Sequence, residues 1–364
     1  MARAAESQPP GAAGPVAGDR AVTTIRDVAR AAGVGVGTVS RVLSGGARGA
    51  PATRARVEAA MAQLGYRPSA TARALSQGRT HTLEVVVPLV THHVYVEVLR
   101  GIETALADTD YAVVIRTVER AAARDRAFAA LGQGGRADGV LVVSLAPTPE
   151  LLERIAAARL PTVLVDAAHP DLPSVSVDHA AATAEAIRFL RDLGHDRIAL
   201  VDEPGDHFAP AFAAERRRGF RMALGEANLA PRADYEIVTA GGPEGGVEAA
   251  AALLALPDPP TAVVVGSDTQ AVGLLQEARR RGRHVPRDLS VVGYGDIEMS
   301  RHIGLTTVRV PVRELGRRGV EVLLAELAGS TEPAQIRLPT ELMVRKTAGP
   351  SRGVEASRRR DGGA

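Results

Sequence analysis

The sequence predicts an all-α helix-turn-helix head followed by an α/β core of two lobes, each a doubly wound parallel sheet. Three observations predict it. Apolar residues at helical spacing stop at Gly33 and restart in a new phase a few residues later. Arginines crowd that same N-terminal segment, while the rest of the chain is mildly acidic. From His81 onward, short Val/Leu/Ile runs alternate with amphipathic helical stretches.

Ile25, Val28, Ala29 and Ala32 make one apolar stripe, which ends at Gly33 where a left-handed residue stops a helix. The pattern resumes at Val39, Val42 and Leu43. Two helices separated by about three or four residues cross steeply, as in a helix-turn-helix. The spacing alone equally suits an ordinary helical hairpin, and charge separates the two readings. Between Arg20 and Arg79 ten arginines face only Asp27 and Glu58, a net of +8. The whole chain is +2, so the remainder carries −6. These arginines are spread over several short elements around an apolar stripe, unlike a solvated charge run. A basic module on an acidic body is what phosphate neutralisation requires. Lys346 is the sole lysine, so the preference for arginine carries no weight. Thr53 to Leu64 reads as a third helix with Val57, Ala60, Met61 and Leu64 inward, closed by Gly65. After Tyr66-Arg-Pro68, Ser69 can cap a short helix from Ala70 to Ser76.

Strand candidates follow at Leu83–Val87, Ala112–Val118, Gly139–Ser144, Thr162–Asp166, Arg197–Asp202, Glu236–Val238, Thr261–Gly266, Leu289–Tyr294 and Leu305–Val310. Several are unbroken apolar runs, as expected for strands buried on both faces of a parallel sheet. Helical patterns lie between them at Tyr95–Ala107, Ala180–Leu193, Ala211–Ala227, Gly245–Leu256, Thr269–Arg281 and Pro311–Ala328. So many strands in this order imply two successive lobes. Met1–Gly18 is Ala/Gly/Pro-rich without the apolar run of a signal peptide, and Gly349–Ala364 is polar without heptads. No window reaches the ~18 apolar residues of a membrane span. The chain has no cysteine, which excludes disulfides and thiolate metal sites. A cytoplasmic protein with no membrane partner is expected.

The runs Thr24-Ile-Arg-Asp-Val-Ala-Arg-Ala-Ala-Gly-Val, Gly37-Thr-Val-Ser-Arg-Val-Leu and Leu64-Gly-Tyr-Arg-Pro68 resemble one family's DNA-binding headpiece. With Thr53-Arg-Ala-Arg-Val and Ala72-Arg-Ala-Leu75, they are similar to the lactose-repressor/galactose-repressor (LacI/GalR) family of bacterial transcription regulators. The likeness continues to about Thr347, through Leu193-Gly-His-Asp-Arg-Ile198, Val285-Pro-Arg-Asp-Leu-Ser-Val-Val-Gly-Tyr294 and Leu338-Pro-Thr-Glu-Leu-Met-Val-Arg345. It implies a periplasmic-binding-protein-like core whose lobes are joined by crossovers near Val177–Ala180, Thr307–Val310 and Pro333–Leu338. The implied order is a disordered leader (1–21), a helix-turn-helix domain (22–67), a hinge helix and linker (68–80), an effector-binding core (81–348) and a disordered tail (349–364). Within the core, the N-lobe is expected at about 81–178 and 309–335, and the C-lobe at about 179–308 and 336–348.

Carried over residue by residue, the resemblance places Val36, Gly37 and Arg41 at base edges, and Thr38 and Ser40 at phosphates. Further DNA contacts are implied at Thr24, Arg48, Thr53, Tyr66, Ser69, Ala72 and Arg73, with Leu75 as a minor-groove wedge. Gly35 and Ala50 stand where the family usually caps helices with serine. Effector candidates are His92, Tyr95, Arg216, Asp268 and Asp296, with His93 beside them. The first loop, Thr91-His-His-Val-Tyr95, lacks the family's Asn-Pro, Ser267 replaces the Asn of an Asn-Asp pair, and Gly295 replaces the first of two aspartates. A small polar effector, sugar or nucleoside-like, is expected. Asp268 suits a helix cap nearly as well as a ligand contact. The adjacent histidines lack metal-ligand spacing, so no metal is expected, and no cofactor.

An enzyme reading from Gly33-Val-Gly35-Val-Gly37 or Gly241-Gly-Pro-Glu-Gly-Gly246 as phosphate loops lacks the strand context and the Gly-Lys-Ser/Thr ending. The expectation is a repressor acting as a homodimer on a pseudo-palindromic double-stranded DNA operator. Effector-driven lobe closure would govern hinge folding. The alternative is a sugar-binding protein without a DNA role.

Overall fold

A computed structural model describes residues 23–43, 51–66, 79–131, 137–204, 210–330 and 334–352. The expected leader, the hinge helix expected at 70–76 and the end of the tail lie outside them. The chain divides into two compact units, Met1–Thr80 and His81–Ala364.

In the first unit, helices α1 (Ile25–Ala32), α2 (Val36–Leu43) and α3 (Pro51–Leu64) pack around Val28, Ala29, Ala32, Val39, Val57 and Ala60. Gly33 adopts φ 64°, ψ 38°, and its amide and that of Val34 reach back to the last turn of α1. This left-handed cap is the break that the apolar pattern predicts. The third helix starts at Pro51, two residues before expectation. Proline at a first helical position costs nothing, because that amide has no partner within the helix.

The second unit holds two six-stranded sheets. The first has the order β11-β5-β4-β3-β1-β2, all parallel, from β1 (Thr82–Val87), β2 (Ala112–Thr117), β3 (Gly139–Val143), β4 (Thr162–Val165), β5 (Ser174–Ser176) and β11 (Gln335–Arg337). The second has the order β12-β10-β9-β8-β6-β7, from β6 (Ile198–Asp202), β7 (Glu236–Val238), β8 (Ala262–Val265), β9 (Ser290–Gly295), β10 (Thr306–Arg309) and β12 (Glu341–Met343). Only β12 runs antiparallel there, against β10. Strands β1, β3, β4, β6 and β8 are buried almost throughout, in keeping with helices on both sheet faces.

Helices α4 (His93–Leu106), α5 (Ala121–Ala130), α6 (Pro149–Ala158) and α12 (Val312–Leu327) serve the first lobe. The second lobe has α7 (His179–Asp192), α8 (Pro210–Glu226), α9 (Gly242–Leu254), α10 (Asp268–Arg280) and the short α11 (Glu298–His302). Helices α5 and α6 escape the sequence reading: alanine leaves α5 with hardly any apolar stripe, and α6 has a short one of Leu151 and Ile155. The Thr148 side chain nevertheless caps α6, accepting from Leu151, with Pro149 next to it. β11 pairs Gln335, Ile336 and Arg337 with Ser174, Val175 and Ser176, so the first lobe keeps Ile336 and Arg337, which the sequence assigns to the second.

One apolar cluster runs through both lobes, from Leu83 and Leu141 to Phe220, Val292 and Val308. Helix α8 lies against α7 so closely that a Cβ on Gly219 would sit 2.1 Å from the Ala180 carbonyl. Only glycine permits that approach.

Candidate functional site

Helix α2 is anchored by Val39, which is fully buried, with Val42 and Leu43 packed behind it. Its other side is open: Val36, Gly37 and Arg41 are exposed, and Thr38 and Ser40 are half-buried beside them. Positions 36, 37, 40 and 41 fall on one side of a helix of 3.6 residues per turn. A Cβ on Gly37 would meet no atom within 4 Å, so packing does not demand glycine there. Arg41 lies back along the helix, its Nε donating to the Gly37 carbonyl at 3.1 Å. Arg26, Arg30, Arg54 and Arg56 are exposed on the flanking helices. The head therefore offers cations around one helix face that carries a single strong hydrogen-bond donor group.

The donors of Thr24 have an internal partner: its amide and hydroxyl both donate to Asp27 Oδ2, at 3.0 and 2.7 Å, so it caps α1. Those bonds hold the Asp27 carboxyl below its ordinary pKa. Tyr66 packs on the head core, and Thr53 is half-buried in the first turn of α3. Arg48, Ser69, Ala72, Arg73 and Leu75 lie outside the described residues.

In the core, the carboxyl ends of β4, β6, β8 and β9 and the start of α4 converge on a cavity of about 100 Å³. Loops there are where an open parallel sheet places ligand groups. Three predicted residues line it: His92, Tyr95 and Arg216. Tyr95 is buried, and burial pushes its hydroxyl pKa well up, with the Asp166 and Glu203 carboxylates adding to the shift. His92 Nδ1 is buried without a hydrogen-bond partner among the described residues. Arg216 donates through Nε and Nη2 to both Asp202 oxygens, at 3.1 and 2.6 Å, and its guanidinium lies 5.3 Å from the Tyr294 ring centroid. Burial works against its charge, and Asp202 more than offsets this, leaving its pKa raised.

His179 ties the lobes together. Its Nε2 lies 3.1 Å from Asp166 Oδ1, at the end of β4, and its Nδ1 lies 2.8 Å from the Tyr294 hydroxyl in β9. With Asp166 ionised, Nε2 carries the proton and Nδ1 accepts from the tyrosine. The Phe212 ring packs on the imidazole at 4.6 Å between centroids.

Two predicted effector residues point elsewhere. Asp268 is 1% exposed and accepts from the Ile297 amide (2.9 Å), the Ser300 hydroxyl (2.7 Å) and the Thr307 hydroxyl (2.6 Å). The cap of α10 is Ser267, which lines the cavity in its place. Both oxygens of Asp296 are taken by arginines, Arg309 at 2.8 Å and Arg345 at 2.6 Å. His93 lines a separate outer groove with Glu97, Arg301 and Arg313. The sequence reading missed Asp166, His179, Asp202, Glu203, Phe212 and Tyr294. A usable signal existed for two of them: Asp166 and Asp202 each close an otherwise apolar strand run, where a charged residue meets the cleft.

Comparison with known proteins agrees with this geometry. The model for "Bacterial regulatory proteins, lacI family" matches residues 24–69, and that for "Periplasmic binding protein-like domain" matches residues 187–348. Catabolite control protein A of Priestia megaterium is 32% identical over 333 residues, covering 89% of this chain and 98% of that protein. The ribose operon repressor of Escherichia coli is 34% identical over 336 residues, covering 90% of this chain and all of that protein. Among solved structures, the lac repressor dimer bound to operator and the anti-inducer ONPF superposes with TM-score 0.79 at 29% identity, covering 90% of this chain and 99% of that one. The transcriptional regulator CelR in complex with cellobiose gives TM-score 0.66 at 32% identity, covering 90% of this chain and 100% of that one.

Proposed function

Because the chain belongs to the lacI family of bacterial regulatory proteins, we propose that it is a sequence-specific transcriptional repressor whose operator affinity is set by a small polar effector in the core cleft. The observation that carries this is the open face of α2, held rigidly by Val39 and flanked by exposed arginines. Relatives named as repressors, and a neighbour solved on its operator, support the same reading. A neighbour solved in complex with cellobiose, the transcriptional regulator CelR, supports a cleft that binds a small polar ligand. Among the described residues no helix is long and apolar enough to cross a membrane, and the proposed place of action is the cytoplasm, on DNA.

The decisive experiment is selection from a random double-stranded oligonucleotide pool, with and without a metabolite mixture. Enrichment of a pseudo-palindrome is expected. Failure to enrich any motif in either condition would overturn the regulator reading.

We propose further that a second copy covers the β2 edge of the core. Val113, Val114 and Ile115 are 36, 48 and 45% exposed there, next to a groove lined by Val96, Leu99 and Tyr111. An unpaired apolar edge strand invites pairing with another chain, and a two-fold dimer matches a palindromic site. Val114→Glu should yield monomers at micromolar concentration by light scattering, with operator affinity at least tenfold weaker. A dimer that survives the substitution would place the interface elsewhere.

A further inference from the structure

We propose that Asp202 sets the charge selectivity of the cleft: by occupying Arg216, it makes the cavity a site for ligands rich in hydrogen-bond donors and free of phosphate or carboxylate. The inference rests on the reading of this cleft as the effector site, and it names the chemical class of that effector.

An arginine in a ligand cleft ordinarily attracts anions, because its planar fork matches carboxylate and phosphate oxygens. Here its Nε–Nη2 edge is already filled from within. Nε and Nη2 of Arg216 reach the two Asp202 oxygens in a paired arrangement, with both side chains buried. Asp202 has no room to swing away. It closes β6, and a Cβ on neighbouring Gly266 would fall 2.4 Å from its Oδ1. The aromatic face of Tyr294 bounds Arg216 on another side.

With that pair neutral overall, the formal charges left among the described lining residues are Asp166 and Glu203. Both are acceptors. Asp166 is shared with His179, and Ser144 stands at 3.5 Å from its other oxygen. No side-chain hydrogen bond or ion pair engages the Glu203 carboxylate among the described residues. Burial raises the hydroxyls of both Tyr95 and Tyr294; Arg216 pulls each of them back, and Asp166 adds to the rise in each. A phosphate brought into this space meets two carboxylates and an arginine whose charge Asp202 balances and whose Nε–Nη2 edge is taken. Hydroxyl or ammonium donors meet acceptors, and His92 Nδ1, without a partner among the described residues, supplies one more polar contact. Aromatic walls from Tyr95, Phe212 and Tyr294 suit the apolar faces of such a ligand.

The test uses the full chain and inorganic phosphate as probe, at constant ionic strength, read as the shift in the unfolding temperature of the core. Wild type should show no saturable response beyond that of chloride. Asp202→Asn keeps the shape and releases the guanidinium. It should acquire saturable phosphate binding with a half-saturating concentration at least tenfold below any seen in wild type. The double variant D202N/R216Q should lose that gain, which separates the cleft from the basic head. Should Asp202→Asn not fold, Glu203→Gln at the half-exposed rim should shift the response in the same direction. In wild type, glucose 6-phosphate should bind more weakly than glucose or glucosamine. Equal phosphate responses in wild type and a folded Asp202→Asn, or glucose 6-phosphate binding as tightly as the other two, would overturn the proposal. Operator selection is scored on the same wild-type preparation. A cleft that excludes phosphate in a protein that selects no DNA sinks the regulator reading and leaves the charge selectivity standing.

Discussion

Arg41→Ala is expected to lower discrimination between the selected operator and its single-base variants by roughly 5- to 150-fold, the equivalent of about 1–3 kcal/mol for one bidentate base contact. The expectation follows from the poverty of the rest of the face. Val36 offers only methyl groups, and Gly37 offers no side chain at all. Ser40 and Thr38 are half-buried hydroxyls, suited to phosphates more than to paired base contacts. The Arg41 bond to the Gly37 carbonyl is made to a neutral acceptor at an exposed position, and a guanine edge offers the side chain two acceptors at once. Affinity for random DNA should fall only slightly, because Arg26, Arg30, Arg54 and Arg56 remain. Titrations of operator and scrambled duplex at several salt concentrations measure both quantities. An equal loss on every sequence, with a shallower salt slope, would assign Arg41 to the phosphate backbone instead.

Asp268→Ala should destabilise the effector-free core by about 3 kcal/mol or more, since it strands three buried donors at about 1–3 kcal/mol each. The carboxylate joins the start of α10 to the Ile297 amide, to Ser300 on α11 and to Thr307 on β10. The same side chain sits under the backbone of Gly293 and Gly295, so it also fixes the segment that carries Tyr294 into the cleft. Burial raises the Asp268 carboxyl above its usual range, with the three donors pulling it back. Denaturant unfolding without ligand distinguishes this role from the one the sequence suggests. A ligand-reading aspartate would leave the free protein's stability unchanged and alter only the effector response. An Asp268→Ala core as stable as wild type would return the residue to the ligand site.

Much of the head is legible from local pattern. Gly33 ends α1 because no other residue takes its left-handed backbone at so little cost, and that holds wherever the helix sits. The cleft is less legible, and Asp268 and Asp296 show why. Both stand in motifs that resemble ligand readers, and both carboxylates are consumed by partners far along the chain: Thr307 and Ser300 for one, Arg309 and Arg345 for the other. Thr24 shows the short-range counterpart, since a partner three residues away takes its donors in the head without DNA. His179 shows a third case. Its position beside a helix cap reads as ordinary, and its significance comes from Asp166 on one sheet and Tyr294 on the other.

By itself the sequence determined the fold class, the basic head with its exposed second helix, the family and the alternation of two lobes. Each of these is written in short-range periodicity, in local caps or in net charge, which survive without knowledge of what lies across the core. Only the tertiary structure decided which polar groups face the cavity and which are spent on one another. Whether Arg216 grips a ligand or Asp202 depends on two strand ends and a helix meeting within a few ångströms. Hydrogen bonding is saturable, so a donor committed to a distant partner is lost to a ligand whatever its motif suggests.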